Sequence, residues 1–121
     1  MTSMAMPDTD LRYSPLSRHF ADFITRLNGG YSPELYLAAF LVTDATLNGH
    51  ICLNLHALEK QVFHIDGFPA LPASPADAWS KILTGYPVVG TPGEFKPLIL
   101  DDADRLYTYR YWQYEDRKSV V

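Results

Sequence analysis

Between Leu16 and Leu27 the apolar residues Leu16, Phe20, Phe23, Ile24 and Leu27 fall three or four positions apart, with Arg18, Asp22 and Arg26 between them. That spacing predicts an amphipathic first helix with one apolar stripe. Ser14-Pro15 supplies its start, a cap followed by proline at a position where the missing N–H costs nothing. Asn28-Gly29-Gly30 supplies its end, glycine providing the left-handed residue. From Ser32 the pattern changes. Ser32-Pro33-Glu34 opens a second helix, which Leu35, Leu37, Ala38, Ala39, Phe40, Leu41 and Val42 make apolar on nearly every side. Polarity returns at Thr43, Asp44 and Thr46, before the Asn48-Gly49 stop. A helix this apolar must be surrounded, so the rest of the chain is expected to pack around Leu35–Val42. Ala38 and Ala39 suggest the close approach of another helix.

The pattern then shortens. Ile51, Cys52 and Leu53 predict a buried strand, and Asn54 a cap for a short helix with Leu55 and Leu58 on its inner face. Pro69, Pro72 and Pro75 mark a surface connection, since proline removes donors and turns its predecessor away from helix. Ser74-Pro75-Ala76-Asp77 repeats the helix-start signal, with Trp79, Ile82 and Leu83 inside and Gly85 at the end. Tyr86 to Val89 predicts an extended run and Thr91-Pro92-Gly93 a turn. Leu98-Ile99-Leu100 and Leu106 to Tyr111 flank Asp101-Asp102-Ala103-Asp104 as a hairpin with a four- or five-residue loop. On its second strand Tyr107, Tyr109 and Tyr111 would share one face, and Leu106, Thr108 and Arg110 the other. Residues 1–13 lack periodicity and are expected to form a flexible tail, with 14–121 one domain. From Trp112 charges are dense, and the end at Val121 reads as a cut before a further domain.

Composition narrows the class. The chain has 121 residues, a length suited to one core. A net charge of −4 lowers the expectation of an independent duplex-binding domain, whose affinity rests on basic excess. No apolar run reaches membrane-spanning length, and the polar, acidic N-terminus is no signal peptide. A lone cysteine, Cys52, excludes an internal disulfide and fits a reducing cytoplasm. Its apolar surroundings favour a packing role.

Candidate chemistry is sparse. No Gly-Lys-Ser/Thr loop follows Gly90 or Gly93. His50, His56 and His64 with Asp66 match no metal-ligand spacing. Asp101, Asp102 and Asp104 lack the closing glutamate of a calcium loop and suit a turn. The stretch Arg105-Leu106-Tyr107-Thr108-Tyr109-Arg110-Tyr111-Trp112 interleaves aromatic and basic residues. It could stack single-stranded bases, anchor a protein interface or simply build a strand.

Gly49-His50-Ile51-Cys52-Leu53-Asn54-Leu55 with Leu58-Glu59, followed by Pro97-Leu98-Ile99-Leu100, Arg105-Leu106-Tyr107, Arg110, Trp112 and Glu115, resembles the N-terminal domain of RecD. RecD is the alpha subunit of exodeoxyribonuclease V, the RecBCD helicase–nuclease. The resemblance spans about Leu16 to Val121. It departs at Asn54, where proline is common in the family. It makes Gly49, His50, Cys52, Leu53, Leu55, Leu58, Leu106, Tyr107 and Trp112 structural signature residues. It implies a parent that is an ATP-dependent 5′–3′ DNA helicase acting in double-strand-break repair. ATP and magnesium would belong to its motor domain, with no cofactor, metal or catalytic residue expected in this chain. The implied partner is a RecC-type subunit, with DNA reached through the parent complex and no membrane contact.

The expectation is therefore an α+β fold: a helical core, a small antiparallel sheet and a C-terminal hairpin, with parts like those of a winged helix. Its role would be assembly, through a candidate interface of Arg105, Tyr107, Tyr109, Arg110 and Tyr111. The alternative is a winged-helix-like nucleic-acid-binding module that uses the same hairpin.

Overall fold

A computed structural model describes residues 9–10, 15–65 and 68–109. The first helix, α1 (Pro15–Asn28), is followed by α2 (Pro33–Leu47), and both end in the same way. Gly29 and Gly49 each take a positive φ of 94°. Gly49 N–H bonds to the Thr46 carbonyl at 3.1 Å and His50 N–H to the Ala45 carbonyl at 2.9 Å. That is the paired Schellman closure of a helix end, and Gly29 and Gly30 repeat it on Arg26 and Thr25. Ser32 caps α2, its Oγ accepting from Leu35 N–H at 3.3 Å.

Every residue of α2 from Leu35 to Thr43 is buried. The chain surrounds it as expected, with α1, α3 (Ala76–Thr84), β2 (Leu53–Asn54) and β7 (Arg105–Thr108) all in contact. Against α2, however, α1 turns only part of its apolar stripe inward, Ile24 and, partly, Phe20. Its buried residues are Ser17, Ala21, Ile24 and Thr25, a face about a third of a turn away. Leu16, Phe23 and Leu27 stay 54%, 47% and 51% exposed, and Phe20 is half-buried. Small side chains let two helices approach closely, and here that outweighs burial of the larger stripe.

The strands form two small sheets. In the three-stranded one, β3 (Val62–His64) lies between β1 (Thr9–Asp10), parallel to it, and β4 (Leu71–Pro72), antiparallel. The proline-rich stretch read as a plain connection thus contains a strand. Pro72 is tolerated because β4 is an edge strand. In the four-stranded sheet the order is β2, β7, β6 (Leu98–Leu100), β5 (Val89–Gly90). The β6–β7 hairpin is antiparallel, but β5 pairs with β6 in parallel. The fold is α+β, and its sheets are mixed rather than wholly antiparallel. The strand expected at Ile51–Leu53 is displaced to Leu53–Asn54, leaving Ile51 exposed. A single 3-10 turn, Leu55–Leu58, follows it, with Leu55 fully buried.

Between β2 and the hairpin the only α-helix among the described residues is α3. A helix-turn-helix module carries a packed pair, so the winged-helix analogy stops there. Pro75 gives α3 no side-chain cap; instead Glu59 Oε2 accepts the Ala76 N–H at 2.6 Å. No helix among the described residues is long and apolar enough to cross a membrane.

Candidate protein interface

The hairpin is built on Asp101. This side chain is buried, and its Oδ1 accepts the backbone N–H groups of Ala103 at 3.0 Å and Arg105 at 2.9 Å. Its Oδ2 accepts Arg105 Nε–H at 2.9 Å and, at the long limit, the Tyr107 hydroxyl at 3.4 Å. The bond to Asp101 and the carboxylate's charge raise the Arg105 pKa above its usual value, so the exposed guanidinium stays charged. Tyr107 is only 4% exposed; burial first, then the Asp101 charge, pushes its pKa up to about 12.

Asp104 closes the loop in a left-handed conformation, φ 60°. Its carbonyl accepts Leu55 N–H at 3.1 Å. Its carboxylate accepts the Ser80 hydroxyl at 2.8 Å and meets His56 Nε2 at 2.9 Å. Asp104 therefore joins the hairpin to the 3-10 turn and to α3. Among the described residues no cluster of three His, Cys, Asp or Glu side chains could hold a metal ion. His56 meets Asp104 and Glu59. Asp66 of the conceivable metal set lies outside the described residues.

The expected interface residues separate. Arg105 is at the surface beside Asp101, Asp102 and Asp104, so the described part of the hairpin makes no contiguous positive stripe. Tyr107 is not a surface residue: it pairs across the sheet with Ile99, and both are buried. Leu98, Leu100 and Leu106 point to the opposite face, into the main core. Tyr109 is half-buried and its ring meets that of Phe95 edge-on at 4.8 Å. Phe95 itself is 82% exposed. It went unnoticed in the sequence because it stands alone in a turn. Arg110, Tyr111 and Trp112 lie outside the described residues.

The signature residues that are described take the following places. Gly49 and His50 close α2, Leu53 pairs with Leu106 across β2 and β7, Leu55 is in the core and Leu58 packs against it. Cys52 is half-buried next to β2.

What these residues define is a small α+β domain whose hairpin carries a charged surface arginine and a half-buried tyrosine packed on an exposed phenylalanine. Aromatic and arginine side chains are common anchors at protein interfaces. The family model for the N-terminal domain of the RecBCD enzyme subunit RecD matches residues 12–107. That is most of the chain, which belongs to the RecD N-terminal domain family. No curated protein matches it in sequence.

Proposed function

We propose that this chain is the non-catalytic assembly domain of a RecD-type ATP-dependent 5′–3′ DNA helicase subunit, acting within a RecBCD-type exodeoxyribonuclease V in the recombinational repair of double-strand breaks. The observation that carries this reading is the family match over residues 12–107, a span that takes in the core, the Gly49–Leu58 signature and most of the hairpin. The partner is a RecC-type subunit, and DNA is reached through the assembled complex in the cytoplasm. Phe95, Tyr109 and Arg105, together with Arg110 and Tyr111, form the proposed contact. Tyr107 supports this surface from below through Asp101.

The test is assembly. The parent protein, with and without residues 12–107, is co-expressed with the RecC-type subunit of the same organism and resolved by size exclusion. The intact protein should co-elute and the deletion should not. A deletion that assembles normally would overturn the reading.

A further inference from the structure

The outward ridge of α1 has an order that the assembly role does not itself explain. Leu16, Phe20, Phe23 and Leu27 follow one another at spacings of four, three and four. This is the alternation of the two apolar positions of a heptad, which fits a single partner helix along its length. Ser17, Ala21, Ile24 and Thr25 hold α1 to its own domain; of the ridge Phe20 also packs against that core, while Leu16, Phe23 and Leu27 are exposed. Apolar side chains exposed in a line on one helix mark a contact surface more often than scattered exposed residues do.

The flanks select the partner. His19 and Arg26 occupy the exposed positions beside the ridge, where a coiled-coil partner places its charged residues. Asp22 lies on the far side of the helix, within electrostatic reach of Tyr36. A second copy laid antiparallel would set Arg26 beside the other copy's His19 and offer no carboxylate. The 14-residue helix also presents only about two heptads, too short a seam to hold two copies together alone. A helix of another subunit, apolar at its heptad positions and acidic beside them, satisfies both conditions.

We propose that the Leu16–Phe20–Phe23–Leu27 ridge is a docking seam for one acidic-flanked amphipathic helix of the partner subunit, a second contact in addition to the hairpin; it rests on the assembly role proposed above. In the complete protein, Phe23→Gln with Leu27→Gln should weaken binding to the RecC-type subunit by at least about 30-fold. Arg26→Glu should weaken it by roughly fivefold, with the loss shrinking at high salt. The far-ultraviolet circular dichroism of each variant should match wild type, because these side chains are exposed. In parallel, a photoreactive benzoylphenylalanine at position 23 should cross-link to a helix of that subunit with acidic flanking residues. Wild-type affinity in the double variant, while deletion of residues 12–107 abolishes binding, overturns the seam and leaves the assembly role standing. If the deletion assembles normally, the assembly role falls. The seam, which rests on that role, falls with it; where the role stands, a cross-link to such a helix supports the seam, and no product, or a product on a second copy, overturns it.

Discussion

The Trp79 indole N–H donates to the Glu34 carbonyl at 3.1 Å, joining α3 to the first turn of α2. The ring has no exposed surface, so it both fills volume and fixes where α3 sits. Trp79→Phe keeps most of the ring but removes the donor and leaves a small void. It should destabilise the domain by about 2 kcal/mol, and Trp79→Ala by about 4 kcal/mol, in urea denaturation followed by circular dichroism.

Gly49→Ala should cost about 1 kcal/mol, and Gly49→Asn less, by the same measurement. A Cβ built on Gly49 meets no atom within 4 Å. The whole penalty is therefore the left-handed backbone, and a cost well above this would point to a different helix end.

Asp101→Ala removes the acceptor of the Ala103 and Arg105 backbone N–H groups, of Arg105 Nε–H and of the Tyr107 hydroxyl. It should destabilise by about 3 kcal/mol. Asp101→Asn keeps Oδ1 as an acceptor and should cost only about 1 kcal/mol. Equal losses in the two variants would argue against the backbone bonds as the reason for the aspartate.

Tyr107 gives a pH dependence of known sign. Its folded pKa, about 12, lies above the ordinary 10.0 expected of the unfolded chain. Its contribution is thus fully present below pH 10 and is lost as pH rises through the interval to about 12, by on the order of 2 kcal/mol. Tyr107→Phe should flatten the decline in urea midpoint over that interval. An unchanged decline would assign the alkaline loss to other groups.

Ser17 has its hydroxyl oxygen buried against the helix pair, with no hydrogen-bond partner among the described residues. Ser17→Ala removes a desolvated polar atom and adds a better helix former, so it should stabilise by about 0.5–1 kcal/mol in thermal denaturation.

Both long helices were legible in the sequence because their limits are local. The Ser-Pro starts and Asn-Gly ends predict the limits of α1 and α2 to within about a residue, and the apolar run of Leu35–Val42 correctly marks the core. The rotation of α1 was not legible. A stripe of leucine and phenylalanine is normally read as the inward face, and only the packing reveals that Ser17 and Ala21 hold that position instead. The roles of Asp104 and Glu59 were hidden for another reason. Asp104 meets Ser80 and His56, 24 and 48 positions away, and Glu59 caps a helix 17 positions on. No spacing rule reaches that far. β4 was concealed by Pro72, a residue that ordinarily argues against a strand. At the candidate interface alternation placed Arg105, Tyr107 and Tyr109 on one face, but it could not reveal that both faces of the sheet are covered at Tyr107, where Ile99 and Tyr107 are buried.

The unbroken burial of Leu35 to Thr43 has a consequence for variation. An ordinary surface helix has a solvent side, so a scan of charged substitutions along it rises and falls with each turn. The interior of α2 has no such side, and its record of tolerated change should be flat and low instead. The polar freedom that most domains distribute around every helix is here confined to the elements that enclose this one.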